Sequence, residues 1–183
     1  MELGNFSLDT TLTTQDAAYR SAAAQYGAAI ERLARGYEAD PDLARDLVQD
    51  IHAALWRSFA YFEGQCSVRS WVYRIGHNVG VSHIQASRRA KPGALAELDE
   101  LEALAAPDDL EREVGEARAA DRLMATIHRL KPADRQVMLL YLEDLTAGEI
   151  GEVTGLSAGA VATRISRLKA LLAEAFQTEE IDR

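Results

Sequence analysis

The stretch TAGEIGEVTGLSAGAVATRISRLKALL, residues 146–172, decides the fold. Thr146 and Glu149 stand three positions apart ahead of an apolar run. This is the spacing of a capping box, in which each side chain bonds the other's backbone N–H and starts a helix. That helix is short, from about Ala147 to Thr154, because Gly155 permits the left-handed conformation that ends it. Leu156 then packs inward, and Ser157 caps a longer helix reaching about Gln177. Short helix, glycine turn and longer helix make a helix-turn-helix. On the last helix Val161, Ile165, Leu168 and Leu172 fall within about 60° of one another and form the buried stripe. The opposite face carries Gly159, Thr163, Ser166, Arg167 and Ala170, with Arg164 and Lys169 on its flanks, and no acidic residue occurs from Ser157 to Leu172. Little bulk towards base edges, a few donors to read them and cations at the margins are what insertion into a DNA major groove requires. A solvated polar face would show the same periodicity, but the capped short helix and the glycine turn favour DNA.

Upstream the helical period continues, and no segment has the β-branched alternation of a strand. The expected fold is therefore all-α, two small helical domains joined by an acidic linker. A first helix is expected from about Thr14 to Gly36, with Tyr19, Ala23, Tyr26, Ile30, Leu33 and Tyr37 on one side. Asp40 then caps, and Pro41 suits the first position of a second helix reaching about Ala60. Residues 64–70 read as a loop, after which Ser70 caps a third helix that stops near Ala90, before Pro92 and Gly93. These helices make an N-terminal domain over residues 14–91. Residues 92–115 read as the linker, and residues 116–177 as the C-terminal domain, in which one helix ends near Leu130 and Pro132 opens the next.

The 183 residues carry 29 acidic and 20 basic side chains, a net charge of −9 that at first opposes phosphate binding. The charge is segregated, however. From Gly64 to Lys91 there is no Asp or Glu, while Arg69, Arg74, Arg88, Arg89 and Lys91 all occur; from Glu97 to Asp121 carboxylates dominate. Neither a signal peptide nor a membrane-spanning apolar run is evident, so the expected setting is the cytoplasm. Cys66 has no second thiol to pair with and reads as a spectator, a redox sensor being the alternative. His77 and His83 are too far apart on the helix to chelate and lack a third ligand, so no metal site is expected. A cofactor is not expected either, and without a phosphate-binding glycine loop or a nucleophile motif the chain does not read as an enzyme.

Two further faces stand out. On the second helix Leu43, Leu47, Ile51, Ala54 and Leu55 line up, leaving Asp46, Gln49, Asp50, Ala53 and Trp56 opposite. A tryptophan among carboxylates on a polar face suits protein docking, or packing on another helix. On the third helix Trp71, Val72, Ile75, Val79 and Ala86 are read as inward, and Arg74, His77, Asn78, Val81, Gln85 and Arg88 as outward. Cations interleaved with amide donors suit single-stranded DNA. Trp71 and Phe62 are assigned to packing, and Tyr73 is left open.

LKPADRQVMLLYLEDLTAGEIGEVTGLSAGAVATRISRLKALL resembles region 4 of bacterial sigma factors, which reads the minus-thirty-five promoter element. DLARDLVQDIHAALW resembles region 2.2, and FEGQCSVRSWVYRIGHNVGVSHIQASRRAK resembles regions 2.3 and 2.4. The likeness spans about Ala17 to Ala175, the linker excepted, and is greatest to the extracytoplasmic-function (ECF) group of the sigma-70 family. It implies that Asp46, Gln49, Asp50, Ala53 and Trp56 meet the β′ clamp of core RNA polymerase, and that the β flap is a second contact. It also implies that the loop residues Gln65, Cys66, Ser67 and Arg69, with Arg74, His77, Asn78, Gln85, Arg88, Arg89 and Lys91, contact the minus-ten element. Base capture in that loop would help separate the strands. Ser157, Gly159, Ala162, Thr163, Arg164, Ser166, Arg167 and Lys169 would contact the minus-thirty-five element. Ser82, Gln85 and Ala162 depart from residues common in relatives, which bears on promoter preference. The implied partners are core polymerase, promoter DNA and a cognate anti-sigma factor. A sigma mimic that sequesters an anti-sigma factor, or a stand-alone helix-turn-helix regulator, are the competing readings. The mimic has no need of the DNA-reading cations, and the regulator leaves the second helix unexplained.

Overall fold

The computed structural model describes residues 5–90 and 115–181. Among them are seven α-helices: α1 (Asn5–Tyr37), α2 (Pro41–Ser58), α3 (Val68–Ala90), α4 (Gly115–His128), α5 (Pro132–Leu142), α6 (Ala147–Thr154) and α7 (Ala158–Ile181), with a 3-10 turn at Phe59–Tyr61 and no strand. The all-α expectation holds. The expected linker lies almost wholly outside the described residues.

Helix ends follow the local chemistry. Asp40 caps α2 by accepting from the backbone N–H of Asp42 at 2.8 Å and of Leu43 at 3.1 Å, with Pro41 in the first turn. Thr146 and Glu149 form the capping box of α6, and Gly155 ends that helix at φ 78°. Ser157 caps α7 by accepting from the N–H of Ala160 at 3.2 Å. Two boundaries differ from expectation. Helix α1 starts at Asn5 rather than near Thr14, since extending an existing helix adds a hydrogen bond per residue without a new nucleus. Helix α3 starts at Val68 and its cap is Ser67, whose Oγ accepts from the N–H of Ser70 at 3.0 Å; Ser70 itself is buried.

Helices α1, α2 and α3 pack on one another, and α5, α6 and α7 do likewise. The α2 stripe is Ala44, Leu47, Ile51 and Leu55. Leu43, expected inward, is 46% exposed, because the stripe at spacings of three and four runs through Ala44 and leaves Leu43 at its edge. On α3 the buried line is Val72, Tyr73, His77 and Ile84, with Gly76 and Gly80 between them, and Ala86 is exposed. A Cβ on Gly80 would stand 2.4 Å from the Tyr37 ring, so this glycine lets α3 approach α1 closely. Phe59, Phe62 and Trp71 stack in succession, with ring centroids 5.7 and 5.3 Å apart, as expected for packing aromatics. One apolar core runs from Ala22 of α1 through Ile51 and Val72 to Ile127, Leu140, Ile150 and Leu168.

Candidate nucleic-acid interface

The α7 stripe closes as expected: Val161, Leu168 and Leu172 are buried and Ile165 is half-buried. Ser157, Gly159, Ala162, Thr163, Ser166, Arg167 and Lys169 are exposed, and Arg164 is half-buried. Sequence reasoning missed what orders the cations. Asp134, in the first turn of α5, accepts from Nη2 of Arg167 through both carboxylate oxygens at 2.9 Å, and its Oδ1 stands 3.2 Å from Nε of Arg164. One carboxylate thus orients two arginines, a geometry that presents their remaining N–H groups without freezing them in solvent. The signal was the three-residue spacing of Arg164 and Arg167, which puts both on one face. Lys169 lies 5.5 Å from the centroid of the Tyr141 ring. A groove of about 430 Å³ runs beside them, lined by Tyr141, Leu145, Ala147, Ala162, Ile165 and Lys169.

On α2, Asp46, Gln49, Asp50, Ala53 and Trp56 are all exposed. Trp56 is not loose: its Nε1–H donates to Asp16 Oδ1 of α1 at 2.7 Å, and its backbone carbonyl accepts from Gln15 Nε2 at 2.7 Å. The ring is held at a fixed orientation beside the carboxylates.

The loop ahead of α3 turns at Gly64 (φ 79°) and is stapled by Gln65, which accepts from the N–H of Glu63 at 2.8 Å and donates to the Tyr61 carbonyl at 3.1 Å. Cys66 is half-buried, Ser67 exposed, and Asn78, Gln85 and Arg89 are exposed. Lys91 and the side chain of Arg88 lie outside the described residues. His77, expected among the outward groups, is buried at 2% exposure. Its Nδ1 is hydrogen-bonded to the Tyr37 hydroxyl, and burial holds the imidazole down to about 4, Gln136 of α5 countering only in part. It is removed from the DNA-facing set, since the buried line of α3 runs through it.

Arg69 and Arg74 are not directed into solvent. Arg69 Nη2 donates to the Glu143 carbonyl at 2.6 Å and Nη1 lies 3.7 Å from Glu149 Oε1, while Arg74 Nη2 donates to the Glu152 carbonyl at 2.7 Å. Tyr73, left open by the sequence, is buried and donates to Glu143 Oε2 at 3.0 Å; burial, with the Glu143 carboxylate beside it, raises its pKa.

Both helical domains match known proteins. The family profile of Sigma-70 region 2 matches residues 23–90, and that of Sigma-70, region 4 matches residues 120–172. RNA polymerase sigma factor CnrH of Cupriavidus metallidurans is 30% identical over 163 residues, covering 85% of this chain and 84% of that protein. The chain belongs to the sigma-70 family, in its ECF group. Sigma factor NccH of Alcaligenes xylosoxydans xylosoxydans is 26% identical, covering 86% of each chain, and the ECF sigma-E factor of Haemophilus influenzae is 29% identical over 72% of this chain and 74% of its own. The fold of this sigma factor is similar to that of CnrH in a structure with the cytosolic domain of CnrY: TM-score 0.66 at 23% identity, covering 93% and 94% of the two chains. The sigma factor is thus a transcription-initiation factor. Its α1–α3 helices carry region 2 and its α4–α7 helices carry region 4.

Proposed function

We propose that the sigma factor docks on the β′ clamp of core RNA polymerase through Asp46, Gln49, Asp50, Ala53 and Trp56. In the holoenzyme it reads the minus-thirty-five element with α7 and opens the minus-ten region with the loop and outer face of α3. The observation that carries this reading is the pair of arginines on α7 held by Asp134. Two oriented guanidinium groups flanking the small residues Gly159, Ala162, Thr163 and Ser166 supply donors at a face that fits a groove. The docking face draws support from Trp56, fixed by α1 yet still exposed, as an aromatic anchor should be. The groove between Tyr141 and Ile165 suits an apolar segment of the β flap, and loop residues Gln65, Cys66, Ser67 and Arg69 suit capture of an unstacked base. No helix among the described residues is long and apolar enough to cross a membrane, in keeping with action in the cytoplasm. The role is binding and positioning, without a catalytic step of its own. A partner comparable to the CnrY domain seated on CnrH would regulate access to both faces.

The test is reconstitution with core polymerase and a promoter library. Specific transcripts are expected, with Arg167→Ala reducing promoter-specific output while leaving core binding intact. Core binding without any specific transcript refutes the reading in favour of a sigma mimic.

A further inference from the structure

Helix α1 begins well before the part of the chain that matches Sigma-70 region 2, which starts at residue 23. Three residues of this earlier part, Gln15, Asp16 and Tyr19, bond to α2. Gln15 is buried, and its Nε2 donates to the Trp56 carbonyl at 2.7 Å in the last turn of α2, where carbonyls run short of intrahelical donors. Asp16 Oδ1 accepts from the Trp56 indole N–H at 2.7 Å, while its other carboxylate oxygen faces Arg20 at 3.9 Å. One helical turn on, the Tyr19 hydroxyl lies 3.2 Å from His52 Nδ1, and the two rings meet edge to face with centroids 6.0 Å apart. Positions 15 and 19 share a face of α1, as 52 and 56 share a face of α2. The pairing of 15 with 56 and of 19 with 52 is that of two antiparallel helices in fixed register. Further along α1 the inward residues are apolar, Ala22, Ile30 and Leu33 among them. An apolar contact would hold α2 as well, whereas a carboxylate bonded to an indole N–H also fixes how the ring lies.

We propose that Asp16 is a positioning residue for polymerase docking: from the part of α1 ahead of region 2, it holds the Trp56 indole in one orientation on the face of α2 that meets core polymerase. The inference rests on the reading of Trp56 as part of that face. Trp56 stays 36% exposed with its N–H already bonded, so a partner can cover the ring without stranding a donor. Released from Asp16, a tryptophan on a helix has about two χ1 wells and about two χ2 orientations, roughly four states of which one docks. The cost of ordering the ring then falls on binding. With one state in about four competent, the dissociation constant rises about fourfold. The carboxylate acts through the ring, without a contact of its own to polymerase.

The experiment measures affinity for core polymerase, by competition against the dye-labelled sigma factor, for Asp16→Ala, Asp16→Asn, Trp56→Ala and Trp56→Phe with and without Asp16→Ala, each checked for helicity by circular dichroism. The chain has two tryptophans, so nitrogen–proton NMR gives two indole signals, and the one missing from Trp56→Phe belongs to Trp56. Asp16→Ala is expected to move the Trp56 signal, leave that of Trp71 in place and weaken core binding about fourfold. Asp16→Asn loses the charge but keeps the acceptor oxygen, and should bind as the wild type does. In the Trp56→Phe background, where the N–H is gone, Asp16→Ala should cost nothing further. An unmoved Trp56 signal in Asp16→Ala overturns the proposal. So does a loss in Asp16→Asn equal to that in Asp16→Ala, which would make the effect one of charge, or an equal loss in the Trp56→Phe background, which would make it independent of the indole N–H. The docking reading fails separately: a helical Trp56→Ala with wild-type affinity removes the tryptophan from the docking face and the positioning role with it. Weakened binding in Trp56→Ala with none in Asp16→Ala keeps the docking face and overturns the positioning role alone.

Discussion

Replacing His77 by Gln should flatten the acid limb of the stability curve. The imidazole sits between α1, α3 and α5, bonded through Nδ1 to Tyr37, with Gln136 of α5 its other polar neighbour. Tyr37 on α1 and Arg135 and Gln136 on α5 offer no carboxylate to stabilise a charged ring; His83, one turn and a half along α3, is committed to Glu38. Burial places the folded pKa at about 4 against an ordinary 6.5. The unfolded chain therefore takes the proton first. Stability from this residue is fully present above pH 6.5, falls as pH drops towards 4, and changes no further below that. At about 1.4 kcal/mol per unit the loss between pH 7 and pH 5 is roughly 2 kcal/mol. That interval lies above the range in which most carboxylates titrate. His128, also lowered by burial, adds a loss of the same sign to wild type and variant alike. Urea denaturation at pH 7, 6 and 5 reads the difference: the wild type should lose about 2 kcal/mol more than His77→Gln over the interval. Glutamine can still accept from the Tyr37 hydroxyl, so the comparison isolates the proton. Parallel losses in the two proteins would show that the imidazole is hydrated in the folded state, and the reasoning from burial would fail.

Asp134→Ala should change folding stability by less than about 1 kcal/mol, because Arg167, the nearer of its two partners, is 59% exposed. In the holoenzyme it should steepen the salt dependence of duplex binding and lower discrimination between promoter and scrambled DNA, read by anisotropy over a salt series; unchanged discrimination would leave Asp134 a purely structural residue. Gly80→Ala should destabilise by about 1–3 kcal/mol in thermal or urea melts, since the added Cβ meets a buried aromatic ring rather than a flexible chain end. The gain in helix propensity, about 1 kcal/mol, offsets only part of this, and a stabilised variant would refute the close approach of α3 to α1.

What was legible in the sequence was local. The capping box of Thr146 and Glu149, the left-handed Gly155 and the cap at Asp40 each follow from neighbouring residues, and the helices they bound lie where expected. The exposed face of α2 was legible for the same reason. On α3 the apolar side chains misled. The buried line runs through Tyr73, Gly76, His77 and Gly80, and the two glycines four apart were the available signal of a tight helix contact. A histidine beside them belonged to that line, not to the outer face. The pairing of Arg69 and Arg74 with Glu143 and Glu152 was out of reach, because it joins residues more than seventy positions apart across the linker. Periodicity assigns a residue to a face of its own helix and carries no information about which distant element will cover that face.

Glu143 joins α1 and α3 to region 4, with Arg69 among its donors. Arg69, proposed above as a minus-ten contact, thus also bonds region 4, so a change at this position bears on that junction as well as on any hold on DNA. On α7, by contrast, the partner of the arginines is Asp134 within the same region, so substitutions there leave the junction with region 2 untouched.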